Sequence, residues 1–281
     1  MFHEVLDRAR ERRGVALMGI CNVTPDSFSD GGLHDAPGAA RARVDEIVAE
    51  GADIVDVGAE STRPGARPVS AREQLRRALD VVRYAASTAA CVSIDTSNPE
   101  VAEACLDAGA SIVNDTSCLA DCRLARVAAD RQALLVLMHS RGPQSEMTGF
   151  SEYPDAGYVD VLSDVLREWG AAADRACAAG LPRDALVMDP GLGFSKNKRQ
   201  SRELLSRVDI FVRELGVPVL VGASRKSFLA ESDPEASPRE RVGASIAAAL
   251  HAVRRGVSIL RVHDVRVTRQ AIDCDRQLGE T

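Results

Sequence analysis

Three polar side chains, Asp95, Asn114 and Asp189, each close a short apolar run: CVSIDT, SIVND and LVMDPG. A carboxylate accepts adjacent N–H bonds and a primary amide both donates and accepts. Gathered in one place, the three could hold a flat heterocycle bearing several N–H groups and ring acceptors. Read singly, each could instead cap the loop or helix after its strand. A second set is cationic. Arg63 follows the second apolar run, Lys226 follows the seventh, and Arg261 and His263 stand two apart in the eighth, on one face of a strand. If that face is inward, the guanidinium needs an anion, either a ligand's or an inner carboxylate such as Asp56. Residues 224–227 (SRKS) read as the opening of a helix, whose free N–H groups favour a carboxylate or phosphate. GLGFSK from Gly191 lacks the spacing of a phosphate loop and reads as a glycine turn approached closely by a ligand. The basic cluster 196–202 reads as a solvated helix start. His3, His34 and His251 have no companions at metal-ligand spacing. The metal this pattern suits is Mg²⁺, held by phosphate oxygens, water and one protein oxygen such as that of Asn22.

Positioning such groups is the work of a repeated unit. Eight apolar runs, beginning near Val15, Asp53, Cys91, Ser111, Leu134, Leu186, Pro218 and Ser258, alternate with longer helical stretches. Near-continuous Val/Ile/Leu runs indicate strands buried on both faces, as in a parallel sheet. Asn98 with Pro99 suits a helix start, and Gly51, Gly109 and Gly180 suit left-handed helix exits. Polar residues recur at the C-terminal ends of the runs: Asn22, Asp56, Asp95, Asn114 with Asp115, His139, Asp189, Ser224, and His263 with Asp264. A closed barrel would bring those ends to one mouth, whereas an open doubly wound sheet would spread them along an edge. The expected fold is therefore α/β, a single parallel (β/α)8 TIM barrel. Its one domain spans residues 1–281, and residues 1–14 form an N-terminal helical extension.

Composition narrows the function. A formal net charge of −6 and only 4% aromatic residues argue against nucleic-acid and anionic-membrane partners. No run of 18 apolar residues occurs, and the charged N-terminal stretch does not resemble a signal peptide. Seven scattered cysteines, never spaced CxxC, read as reduced thiols, which leads us to expect a cytoplasmic protein.

The motifs MGICNVTPDSFSDGG, VGAESTRPGA, SIDTSNPEVA, DPGLGFSKN, VGASRKSFL and RVHDV resemble, in order, the signatures of the dihydropteroate synthase family. The resemblance runs from residue 18 to about residue 271. It implies condensation of 6-hydroxymethyl-7,8-dihydropterin pyrophosphate with p-aminobenzoate, by SN1-like departure of pyrophosphate and attack of the aniline nitrogen. Carried onto matching positions, it implies that Asp95, Asn114, Met138, Asp189, Gly222, Lys226 and Arg261 surround the pterin. Asn22, Thr62, Arg261 and His263 would bind the pyrophosphate, with Asn22 touching the Mg²⁺. Phe28, Thr62, Arg63, Pro64, Gly193, Phe194, Lys226 and Ser227 would form the p-aminobenzoate site. Asp95, Asp189 and Lys226 would serve catalysis together with Asp30 and Arg63, whose loops would close over the substrates. A homodimer and competition by sulfonamides are expected on the same ground. Ala59, Thr116 and Cys118 depart from the family's usual residues and bear on pocket shape. Two rivals are a pterin-binding methyltransferase and a non-catalytic pterin-binding paralogue. The SRKS, RVHD and STRPGA motifs argue against the first, and Asn22, Arg63, Lys226 and His263 against the second.

Overall fold

The computed structural model of the chain describes residues 2–24, 36–60, 68–89, 91–143, 146–147 and 149–279. Phe28, Asp30, His34, Thr62, Arg63 and Pro64 lie outside them.

Each of the eight apolar runs forms a strand: β1 (Ala16–Asn22), β2 (Ile54–Gly58), β3 (Val92–Asp95), β4 (Ile112–Asp115), β5 (Leu134–Met138), β6 (Leu186–Asp189), β7 (Leu220–Val221) and β8 (Ile259–Val262). All are parallel, in the order β6-β5-β4-β3-β2-β1-β8-β7. A parallel bridge between Met188 and Val219 joins the two ends of that order. Sequential order with closure is the topology of a (β/α)8 barrel, and the open-sheet alternative falls.

Strand periodicity explains both the core and the mouth. Side chains two apart share a face. The buried set Ala16, Met18, Ile54, Cys91, Ile112, Leu134, Val136, Val187, Leu220 and Ile259 forms one cluster inside the barrel. Continuing each strand in steps of two leads to Asp56, Asp95, Asn114, Met138, Asp189, Gly222 and Arg261. The inward face is thus apolar at the N-terminal ends and polar at the C-terminal ends.

Helix α1 (Phe2–Arg13) adds Val5 and Ala9 to that inner cluster and so plugs the N-terminal end of the barrel. It is tied down at Asp53, whose Oδ2 accepts from Arg13 at 2.8 Å and from the Leu17 amide at 2.9 Å. Outside the strands, helices bury their apolar faces in a larger second cluster. In α6 (Val161–Ala178), the fully buried Trp169 donates to the Leu137 carbonyl at 2.8 Å, pinning that helix to β5. Asn98 caps α4 (Pro99–Asp107) through the Glu100 and Val101 amides, with Pro99 in the first turn. Gly51, Gly109 and Gly180 take positive φ, as read from sequence. Among the described residues no helix is long and apolar enough to cross a membrane.

Two sequence expectations change here. The helix of the basic cluster, α7 (Lys198–Ser206), begins after an Asn197 cap, and Lys196 is fully buried instead of solvated. Four hydrogen-bond acceptors around its Nζ, described below, make that burial tolerable. The SRKS segment leads only into a short 3-10 helix, Ser227–Ser232, with Arg225 at φ +62°. Arg225 is held there by Asp264, at 2.9 Å from Nε and 2.5 Å from Nη2. Lys226 follows that turn and reaches the Leu192 carbonyl.

Candidate active site

Strand register assembles the site. It pairs Asn22 with Gly58, Gly58 with Asp95, and Asp95 with Asn114, forming a rung across four strands. Gly58 leaves room for its neighbours: a Cβ there would sit 3.1 Å from Asn22 Oδ1 and 3.6 Å from Asp95 Cβ, so the Asn22 amide would have to shift. Across the barrel, Met138 pairs with Asp189.

Arg261, from β8, is bound to the first of these sides. Its Nε donates to Asp56 Oδ2 at 2.7 Å and its Nη2 to Asp95 Oδ2 at 2.7 Å. Asn114 Nδ2 also donates to Asp56 Oδ2, at 3.3 Å. The guanidinium therefore does have an inner carboxylate, Asp56, and shares itself with a second. Asp56 Oδ1 is buried without a hydrogen-bond partner among the described residues.

Asp189 plays a double part. Its Oδ1 accepts from the Gly191 amide at 2.7 Å, the loop-capping role that sequence allowed. Among the described residues no partner is found for Oδ2, so one side of the carboxylate is free to face a ligand. Burial pushes the pKa of both Asp95 and Asp189 up. Arg261 opposes the rise at Asp95, while Asp56 adds to it; Lys226 opposes it at Asp189. Lys226 is pushed down to about 8 by burial, against the pull of Asp189. Its Nζ donates to the Leu192 carbonyl at 2.5 Å and lies 4.7 Å from the centroid of the Phe194 ring. That ring meets Phe150 edge-on at 5.3 Å. Gly193, at φ +83°, lies beside Lys226, and Ser227 Oγ donates to the Phe150 carbonyl at 3.2 Å.

His263 Nδ1 and Ser224 Oγ are 3.0 Å apart. Burial, reinforced by Arg225 and Arg261, pushes the imidazole down to about 3, so it is neutral at neutral pH. Of the polar strand ends, Asp115 and His139 serve structure, as Asp264 does in holding Arg225. Asp115 caps its own loop through the Ser117 and Leu119 amides. His139 is turned into a buried chain with Lys196 and Glu168. Sequence reading missed Lys196, because a lysine beside Lys198 and Arg199 carries no local sign of burial. Of the three unusual residues, Cys118 stands at φ +59°, a conformation that glycine adopts without cost.

The described residues offer a polar mouth in which Arg261 is bonded to Asp56 and Asp95, Lys226 neighbours Asp189, and the Phe194 ring lies by Lys226. Such a mouth suits a flat, nitrogen-rich ring joined to an anion. Residues 18–263 match the family model described as "Pterin binding enzyme". A dihydropteroate synthase from Streptococcus pyogenes is 40% identical over 266 residues, covering 94% of this chain and 95% of that protein. A Xanthomonas albilineans dihydropteroate synthase solved with 4-aminobenzoic acid superposes with a TM-score of 0.87 at 40% identity, over 95% of this chain and 94% of that one. A Haloferax volcanii relative described as "probable bifunctional folylpolyglutamate synthase/dihydropteroate synthase" is 43% identical over 90% of this chain, which spans only 29% of that longer protein. The chain belongs to the dihydropteroate synthase family of pterin-binding transferases.

Proposed function

We propose that this protein joins a dihydropterin pyrophosphate to p-aminobenzoate through the barrel mouth, with the following division of labour. The observation that carries the reading is the inward polar tier, in which Arg261 bonds Asp95 and Asp56, Asn114 bonds Asp56, and Asp189 ends β6 buried, above an apolar core. Asp95, Asn114 and Asp189 hydrogen-bond the pterin edge, while Met138, Gly222, Lys226 and Arg261 line its faces. Asn22, Arg261 and His263 take the pyrophosphate, with Thr62 from outside the described residues. Phe194, Gly193, Lys226 and Ser227 hold p-aminobenzoate, completed by Phe28, Thr62, Arg63 and Pro64. Asp30 and Arg63 act from the loops expected to close over the substrates.

The step is SN1-like. The bond between the pterin methylene carbon and the pyrophosphate oxygen breaks, and its electron pair leaves with pyrophosphate. The buried carboxylates Asp95 and Asp189 face the cation that develops, a preorganised arrangement that needs no protein nucleophile. The aniline nitrogen then attacks the methylene carbon and loses a proton to solvent.

Mg²⁺ fits this site in a limited way. Among the described residues no cluster of three or more His, Cys, Asp or Glu could hold a metal. Asn22 offers a single neutral amide oxygen, suited to a hard cation whose other ligands are pyrophosphate oxygens and water. When bound, the ion would neutralise charge on the leaving group. We further read the chain as one domain, a homodimer and cytoplasmic, from the family resemblance and the scattered thiols.

The test is pyrophosphate release by the purified protein, with mass detection of dihydropteroate. Steady release should require both p-aminobenzoate and Mg²⁺, while the substrate-free protein binds the ion only weakly. Release indifferent to p-aminobenzoate, or no turnover at all, would contradict the reading.

A further inference from the structure

The Lys196 ammonium bonds none of the described side chains assigned to a substrate, only the His139 ring and the backbone behind them. The side chain is fully buried. Its Nζ meets His139 Nδ1 at 2.9 Å, the Phe194 carbonyl at 3.0 Å, the Gly191 carbonyl at 3.1 Å and the His139 carbonyl at 3.3 Å. An ammonium has three donors and no acceptor. Burial pushes the Lys196 amine down to about 7; in its ammonium form His139 Nδ1 accepts from it, which leaves the ring proton on Nε2 to be donated to Glu168 Oε2 at 3.0 Å. Burial pushes this imidazole down to about 4, in keeping with a neutral ring. Glu168 also accepts from Arg141, at 2.8 Å from Nε and 2.5 Å from Nη2. A chain of charge-assisted contacts thus runs from Arg141 through Glu168 and His139 to Lys196.

The inner end of this chain grips the turn 191–194, and that turn feeds both halves of the site. The Gly191 amide donates to Asp189, the Leu192 carbonyl accepts from Lys226, and the Phe194 ring lies beside the Lys226 ammonium. The fit is close: a Cβ on Gly191 would fall 2.0 Å from the His139 carbonyl oxygen and 3.3 Å from Lys196 Nζ. We propose that Lys196 is a positioning residue for the condensation, gathering the carbonyls of Gly191, Phe194 and His139 so that one turn sets Asp189, Lys226 and Phe194 together. Without the ammonium, three carbonyls would converge on a space with no donor, and the turn would open. The inference rests on the substrate assignments of the preceding subsection.

The experiment compares wild type, Lys196→Met and Glu168→Gln by steady-state kinetics, thermal melting and amide hydrogen exchange of the same preparations. Displacing reacting groups by about an ångström can cost roughly a hundredfold in rate. Folded Lys196→Met should therefore lose about that much in kcat/KM, with KM raised for both substrates and faster exchange in residues 191–194. Glu168→Gln, altered at the partly exposed far end, should move the same readouts in the same direction by a few fold. A lysine needed only for stability would lower the melting temperature and leave both KM values unchanged in the folded protein. That result, or unchanged exchange in the turn, would overturn the proposal. If Lys196→Met does not fold, a folded Glu168→Gln with wild-type KM values and exchange overturns it equally. Wild-type protein lacking p-aminobenzoate-dependent turnover is a separate result, which overturns the assigned reaction itself.

Discussion

Lys226 shows how a single residue can carry opposing demands. Burial pushes its ammonium down to about 8, while Asp189 pulls it back up. Below that pH the side chain is charged and can attract the carboxylate of p-aminobenzoate; above it the attraction fades. KM for p-aminobenzoate should accordingly rise as pH climbs past about 8. Stability should run the other way. The folded value lies below the ordinary lysine value of about 10.4, so the charge is carried at a cost to folding. That cost is full below about 8 and is relieved as pH rises towards about 10.4. Lys226→Met should raise KM below about 8, where the wild-type amine is charged, and flatten its dependence. A KM that stays level in wild type from pH 7 to 9.5 would contradict this role.

At the scale of elements, α1 and the strand periods do different work, and they differ in how far the sequence reveals them. Asp53 joins Arg13 of the plugging helix to the start of the barrel, with both side chains nearly inaccessible. Asp53→Ala would leave a buried guanidinium and the Leu17 amide without their partner, a loss of about 3–5 kcal/mol. Chemical denaturation should report that loss, while kcat of the folded fraction stays near wild type, because the mouth is at the other end. A loss below about 1 kcal/mol would show that α1 is not anchored there. The eight strands were legible because apolar runs of that length have few other uses, and the polar strand ends followed from the same pattern. Arg261 was legible as a cation that would need an anion if it faced inward, with Asp56 as one of two candidate partners. Other features were not, since they depend on contacts distant in sequence. Lys196 is buried only because carbonyls from residues 139, 191 and 194 meet at one point. Arg225 turns towards Asp264 only because its backbone takes a left-handed conformation, which put Lys226, and not an α-helix start, beside the Leu192 carbonyl.

For the whole molecule, barrel closure is what turns separate strand ends into a site. Asp95 and Asp189 are far apart in sequence, yet Arg261 is bonded to the first and contributes to the electrostatics of the second. If closure serves to seat one pterin, a single carboxylate at the rim must be felt in the turnover of that substrate. Asp189→Asn is the most direct measurement. Its amide oxygen can keep the Gly191 bond that Oδ1 now makes, which turns the amide NH₂ towards the ligand in place of Oδ2. A donor would then face a pterin N–H. The loss of a charge-assisted bond, with a buried polar clash in its place, amounts to roughly 3–6 kcal/mol. That corresponds to about two to four orders of magnitude in kcat/KM for the pterin pyrophosphate. Steady-state kinetics beside a thermal melt of the same preparation separates this from unfolding. The account expects a folded Asp189→Asn protein with kcat/KM for the pterin reduced by at least about a hundredfold. A folded variant with wild-type kcat/KM would contradict it.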